Sequence, residues 1–333
     1  MNPFTPNARF VRGLALLLFA MTAACSTAAD PIASPAETPS PSATEVASGA
    51  SPSPAVAATA SVTPLATPTA TDAGPLDIKA YFPLYLRNDE SPPVLIPVHR
   101  TVEQTAAIGA AAMNALLAGP TDQERAHDLR LGTVGTTIPE GTRLLGLDIE
   151  DGLATVDLSA EFQTGDIADR DIESWAFRLA QVTYTITQFP TVEGVSFRID
   201  GRPIKAIEGH EGTPIDVTTR SAYFDQLPAI FVDDPAWGSP VDESFAVSGV
   251  AQVVTYPSWF EAALVDGSSD EILSRQTIRA ACGYDCWLPP GGGEFRFEIA
   301  MPDGASPSSL LLRVWEPAPD ENGIVNFLQY PLR

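Results

Sequence analysis

The 333-residue sequence predicts an α+β domain followed by an all-β sandwich, both behind a disordered N-terminal tether. Three observations predict this class. Between Asp77 and Ile207 the apolar residues switch between a period of two and the helical period, so strands and helices alternate. From Ala229 onward only the period of two recurs, in short runs separated by turn residues. Ser26 to Pro75 is built from Ala, Ser, Thr and Pro with almost no large apolar side chain, so it has nothing with which to offset its ordering entropy.

The formal net charge of −23, with Lys79 and Lys205 the only lysines, argues against nucleic acid as a partner, because phosphate neutralisation needs clustered cations. Anionic membrane surfaces are disfavoured for the same reason. The first 24 residues read as a targeting signal. Arg9 and Arg12 form a positive start, Gly13 to Met21 a short apolar run, and Thr22-Ala23-Ala24 a small-residue end. The run is too short to stay in a bilayer as a spanning helix. Cys25 directly after the small residues resembles the bacterial lipobox, with Thr22 where that motif usually carries leucine. The resemblance implies lipidation of Cys25, an anchor in the cell membrane and a position on its extracytoplasmic face. The alternative is plain secretion with cleavage near Cys25. Residues 25–76 follow as a linker, and as flexible coil its ~50 residues reach on the order of 40 Å.

Residues 77–207 carry the first domain. IKAYFPLYL reads as a strand with Pro83 at its end, and VLIPV from Val94 as its hairpin partner. Thr101 and Gln104 have capping-box spacing for a helix with Ile108, Ala112, Ala115 and Leu116 on one face and Gly119-Pro120 as its stop. Thr121 and Glu124 repeat the spacing for a short helix through Arg130. Leu145, Leu147 and Ile149 then share a face, Asp151-Gly152 turns the chain, and Ala154, Val156 and Leu158 share a face on the return. Asp171 to Phe189 is the strongest helix. Its stripe of Ile172, Trp175, Leu179, Val182, Ile186 and Phe189 steps alternately by three and four. Its second half, VTYTIT, is rich in β-branched residues, so packing of the stripe must outweigh local propensity. After Pro190, Val195, Phe197 and Ile199 alternate up to a second turn at Asp200-Gly201. A mixed sheet packed by two helices accounts for this order.

LLAGPTDQE from Leu116, IPEGT from Ile138, ATVDLSAEF from Ala154 and QVTYTITQFPTVEGVSFRIDG from Gln181 together resemble the GerMN domain of spore-germination and sporulation lipoproteins. The resemblance implies an extracytoplasmic α/β domain with no known catalytic residues. Residues 208–228, with Gly209, Gly212 and Pro214 and no clear period, read as the interdomain linker. In residues 229–333, IFVDDP, ESFAVSGVAQ, FEAALVDGSS, GEFRFEIAM and SLLLRVWEP have the spacing of a small β-sandwich, closed by a strand near the end. Pro235, Gly238 to Val241, Val247 to Gly249, Phe260 to Ala262 and Asp266-Gly267 resemble the immunoglobulin-like domain of bacterial spore germination, the Gmad family, which commonly follows GerMN. One insert departs from that family and carries Cys282 and Cys286. In an oxidising compartment two cysteines four apart can close a small disulfide loop; free thiols or a metal site are the alternatives, and no histidine or third cysteine lies nearby.

Candidate chemistry is sparse. His99, His127 and His210 stand singly, and no nucleophile elbow or phosphate loop occurs. GGG at Gly291 to Gly293 reads as a turn. Asp148, Glu150 and Asp151 belong to a hairpin, while Asp233, Asp234, Asp266, Asp270 and Glu271 read as solvated loop charge. Among Trp237, Tyr256, Trp259, Trp287 and Trp315, core packing is the expectation for most. No cofactor, metal or catalytic residue is expected. The resulting expectation is a non-enzymatic cell-envelope lipoprotein that binds envelope proteins or peptidoglycan in a sporulation, germination or wall-maintenance process. Its rivals are a secreted wall-polysaccharide hydrolase using the sandwich as a binding module, and a ligand-sensing ectodomain.

Overall fold

β1 (Leu76–Tyr85) and β2 (Val94–Val102) pair antiparallel from Leu76 opposite Val102 to Leu84 opposite Val94. This computed structural model describes residues 74–86, 92–125, 132–164, 172–207, 210–252, 259–281, 292–317 and 324–333. The targeting segment, Cys25, the tether up to residue 73, His127, Tyr256, Trp287 and the loop with Cys282 and Cys286 therefore lie outside the described residues.

Pro83 sits inside β1 opposite Leu95, and not at the strand end as expected. Only its carbonyl is called on at that edge, accepting from the Gly135 amide at 2.9 Å, so the missing N–H costs no ladder bond there. The first capping box is also corrected. Thr101 stays in β2 opposite Asp77, and α1 (Ile108–Leu117) begins several residues later, where Thr105 Oγ1 accepts from the Ala107 amide at 3.1 Å. The second box forms. Around α2 (Asp122–Arg125) the Thr121 amide donates to Glu124 Oε2 at 2.7 Å, and the Glu124 amide donates to Thr121 Oγ1 at 3.3 Å.

β3 (Thr133–Val134) adds to the far end of β1, completing a sheet of order β2-β1-β3. A second sheet holds β4 (Leu144–Glu150), β5 (Leu153–Leu158), β6 (Gly194–Ile199) and β7 (Arg202–Pro203) in that order. Both Asp-Gly turns have φ positive at both residues, as two-residue hairpin turns require. β4 differs from the expected alternation at one place. The register slips between Leu144 and Gly146, so Leu144 takes the inward position opposite Leu158 and Leu145 is thrown outward, half-exposed. A bulge of this kind on an edge strand discourages pairing with another chain.

α3 (Ile172–Ile186) is the crossover that makes β5 and β6 parallel. It packs on β1, on β6 and on α1. From Trp175 to Ile186 the helix is buried almost all round, and not only along its apolar stripe. Its other face is polar and fully engaged. Gln188, just beyond the helix, accepts from the Lys79 amide at 2.8 Å and donates to the Lys79 carbonyl at 2.7 Å, and Thr185 Oγ1 accepts from the Tyr81 amide at 3.2 Å. These side chains cover the edge of β1 that β3 is too short to reach. The β-branched half of the helix thus serves the strand beside it.

The connection at 208–228 is ordered where it is described. β8 (Ala206–Ile207) and β9 (His210–Pro214) form a small hairpin, Thr218 exchanges two backbone bonds of 2.8 Å with Val195, and a 3-10 turn at Arg220–Gln226 packs on α3. The sandwich follows as β10 (Ile230–Asp234), β11 (Ser244–Ala251), β12 (Trp259–Asp266), β13 (Ile272–Arg279), β14 (Gly293–Ala300), β15 (Leu310–Pro317) and β16 (Ile324–Pro331). One sheet has order β10-β11-β14 and the other β13-β12-β15-β16, all neighbours antiparallel. Between them Phe260 and Phe295 meet edge to face at 4.9 Å. One apolar cluster runs from the α+β domain into the sandwich, and the described residues of both belong to a single compact unit.

Candidate functional site

A concentrated group of ionisable side chains among the described residues lies where the two domains meet. β1 alternates, so Ala80, Phe82 and Leu84 share one side, and Lys79 and Tyr81 share the other. The Tyr81 hydroxyl donates to Asp233 Oδ1 of β10 at 2.5 Å. Lys79 Nζ donates to the Asp233 carbonyl at 2.9 Å and to Oδ2 at 3.2 Å. Arg220, from the connecting 3-10 turn, brings Nη1 to 3.6 Å from Asp233 Oδ2 and donates from Nη2 to the Tyr81 hydroxyl at 3.2 Å. Its guanidinium stands 4.7 Å from the Tyr184 ring centroid and 5.4 Å from that of Tyr81. Tyr184 in turn meets Phe231 of β10 edge to face at 6.1 Å. Burial by itself would raise the Asp233 carboxyl, but Lys79, Arg220 and the Tyr81 hydroxyl outweigh it and hold the group below the ordinary carboxylate range. Burial first, and then the Asp233 charge, push the Tyr81 phenol well above its usual value. Asp233 was expected as loop charge. It is instead the centre of a half-buried cluster, drawn there by cations that lie more than a hundred residues earlier and a dozen residues earlier in sequence.

Backbone pairing reinforces the junction. After the cis Asp234-Pro235 bond, the Trp237 amide donates to the Pro97 carbonyl at 2.9 Å and the His99 amide donates to the Trp237 carbonyl at 3.0 Å. Two clefts flank this seam, and His99 borders both. A groove of about 660 Å³ is lined by Gln123, Trp237, Ser268, Leu311 and Arg333 among others. The second, of about 470 Å³, is lined by Asp77, Asp234, Asp242, Phe245 and Glu298 among others. His99 Nε2 lies 3.0 Å from Asp77 Oδ1, without the alignment of a hydrogen bond, and the Asp77 side chain is largely open to solvent. An acid and a histidine therefore do come together, with the carboxylate open to solvent and the His99 Nε2 buried.

The remaining singled-out residues are structural where they are described. Asp148 and Glu150 are exposed on β4, and Asp151 is a turn residue with positive φ. Asp266 accepts from the Ser268 and Ser269 amides, both at 2.8 Å; the Ser268 hydroxyl and these amides bring its carboxyl down to about 2. Asp270 pairs with Arg313, so neither aspartate is free loop charge. Trp237 and Trp315 are buried. Among the described residues no three His, Cys, Asp or Glu side chains are grouped to hold a metal. Sequence reasoning missed several buried ionisable side chains, Arg178 and Glu261 among them. Arg178 on α3 donates to the carbonyls of Thr137, Phe162 and Thr164, with burial lowering it to about 10, and Glu261 on β12 accepts from Arg275 Nε at 2.7 Å and Thr277 Oγ1 at 2.8 Å.

Comparison with curated proteins finds no match. Among solved structures, the chain is similar to a Clostridium perfringens protein described as a lipoprotein, at 22% identity and a TM-score of 0.29 over 44% of this chain and 89% of that one. It is similar to the first GerMN domain of the sporulation protein GerM from Bacillus subtilis, at 23% identity and a TM-score of 0.32 over 43% of this chain and 98% of that one. The tandem GerMN domains of the same protein align at 17% identity and a TM-score of 0.34, over 61% of this chain and 60% of that one. The family model described as Germane, sporulation and spore germination, matches residues 80–205, the span from β1 to the end of the β6-β7 hairpin, and in that part the chain is similar to this family.

Proposed function

We propose that this chain is a non-enzymatic envelope lipoprotein of a sporulation or germination process, held at the membrane through Cys25 and binding envelope proteins or peptidoglycan with its folded part. The Germane match of residues 80–205 carries the reading. The engagement of ionisable groups supports a binding role over catalysis. Asp233, Glu124, Arg178 and Glu261 are all consumed by internal partners, so the side chains best placed for chemistry are holding the fold. The residues after 229 resemble the Gmad sandwich and supply the second half of the binding body.

Crosslinking in the host cell, followed by purification of the intact protein, should recover a defined envelope protein or glycan fragment, and mass spectrometry of the membrane fraction should find Cys25 acylated. The Asp77–His99 pair is the one observation that favours the hydrolase alternative. Release of soluble fragments from purified peptidoglycan by the full chain, abolished by His99→Ala, would replace the binding reading with that one.

A further inference from the structure

The contacts at the domain junction are those of a core, and they carry an inference about how the chain behaves as a whole. We infer that the Germane domain and the sandwich form one cooperative unit, with the sandwich as the obligate partner of the β1–β2 surface and Asp233 as the lock that sets their register. The junction combines backbone pairing between β2 and Trp237, aromatic contact between Tyr184 and Phe231, and a carboxylate shared by Lys79, Tyr81 and Arg220. Each kind of contact restricts a different motion. The backbone pair fixes translation along β2, the rings exclude water, and the ion cluster satisfies both charges only in one orientation. Domains joined by a slack linker and a small polar interface move by default, but here the connecting segment itself supplies Arg220 to the cluster. Phe224 of that segment continues the packing. A Cβ on Gly292, just before β14, would lie 2.7 Å from its ring.

The groove of about 660 Å³ is bordered by Gln123 from one side of the seam and Ser268, Leu311 and Arg333 from the other, so it exists in this shape only while the seam is closed. Any ligand taken there would read both domains at once.

The test uses the full chain and hydrogen exchange followed by mass spectrometry, with calorimetry beside it. The wild type should melt in one transition, and peptides containing the His99 and Trp237 amides should be protected to the same degree as β12 and β15. Asp233→Ala leaves Lys79 and Arg220 without their anion and should speed exchange of the two seam peptides roughly a hundredfold while β12 and β15 stay protected, splitting the melt in two. If Asp233→Ala loses protection everywhere, Lys79→Met is decisive, since it trims only the more peripheral partner; seam peptides opening ahead of both cores would support the lock. Two separate wild-type transitions, or seam exchange unchanged in both variants, would overturn the inference.

Discussion

Gly249→Ala tests the packing logic of the sandwich at its tightest point. Gly249 lies in β11 with Val232 of β10 on one side and Phe295 of β14 on the other. A Cβ added there would fall 1.9 Å from the Phe231 carbonyl oxygen, and 2.9 Å from both the Phe231 carbonyl carbon and the tip of the Phe295 ring. Close carbon–oxygen contacts in proteins stop near 3.3 Å, so the carbonyl must retreat by roughly 1.4 Å. The obstacle is backbone, which cannot swing aside as a side chain would. Overpacking of a filled site costs about 1–3 kcal/mol, and displacement of β10 adds strained ladder bonds, so the upper end, about 3 kcal/mol, is expected. For a unit of this size each kcal/mol moves the midpoint by roughly 2–4 °C, which predicts a fall of roughly 6–12 °C. Differential scanning calorimetry measures it, with Gly74→Ala as control because nothing lies within 4 Å of a Cβ there. A Gly249→Ala midpoint within a degree of wild type would refute the reasoning, since the carbonyl clash would then not exist.

Two further predictions concern the helix and acid pH. Leu179→Asp places a carboxylate at a position 2% exposed on α3 and should abolish the near-ultraviolet dichroism of the purified chain at 25 °C; a native-like spectrum would mean that α3 is not central. Asp266 has a folded-state value of about 2, below its unfolded value near ~3.9, so its contribution is complete above pH ~4 and is lost as pH falls toward 2. Asp233 is lowered as well and acts in the same direction. Stability against urea should therefore decline between about pH 4 and pH 2, and Ser268→Ala, which brings the folded-state value back toward the unfolded one, should make that decline smaller and end it at a higher pH; a flat profile would contradict the assignment.

Much of the architecture was legible because it is written in local periods. The α3 stripe, both Asp-Gly hairpins, the Thr121–Glu124 cap and the strand spacing after Ala229 all depend on residues within a few positions of one another. The misreadings have a common cause as well. Thr101 has a capping-box neighbour, but β2 continues through it because pairing with Asp77 outweighs the local motif. Leu145 fits the alternation, but a register slip set by β5 hands its place to Leu144. Asp233 looks like loop charge, because Lys79, Tyr81 and Arg220 are too distant in sequence to signal a cluster.

The sequence by itself determined most of the elements and their order, since periodicity, turn residues and capping pairs act over one or two turns of chain. The tertiary structure alone decided which polar residues would be buried and what they would meet. VTYTITQF carries the apolar stripe in its own spacing, but only the placement of β1 reveals that Thr185 and Gln188 complete a strand edge. The seam follows the same rule. Taking a charge even partly out of water is tolerable only when its partners are in place, and at the half-buried Asp233 those partners come from β1 and from the connecting turn, brought together only by folding.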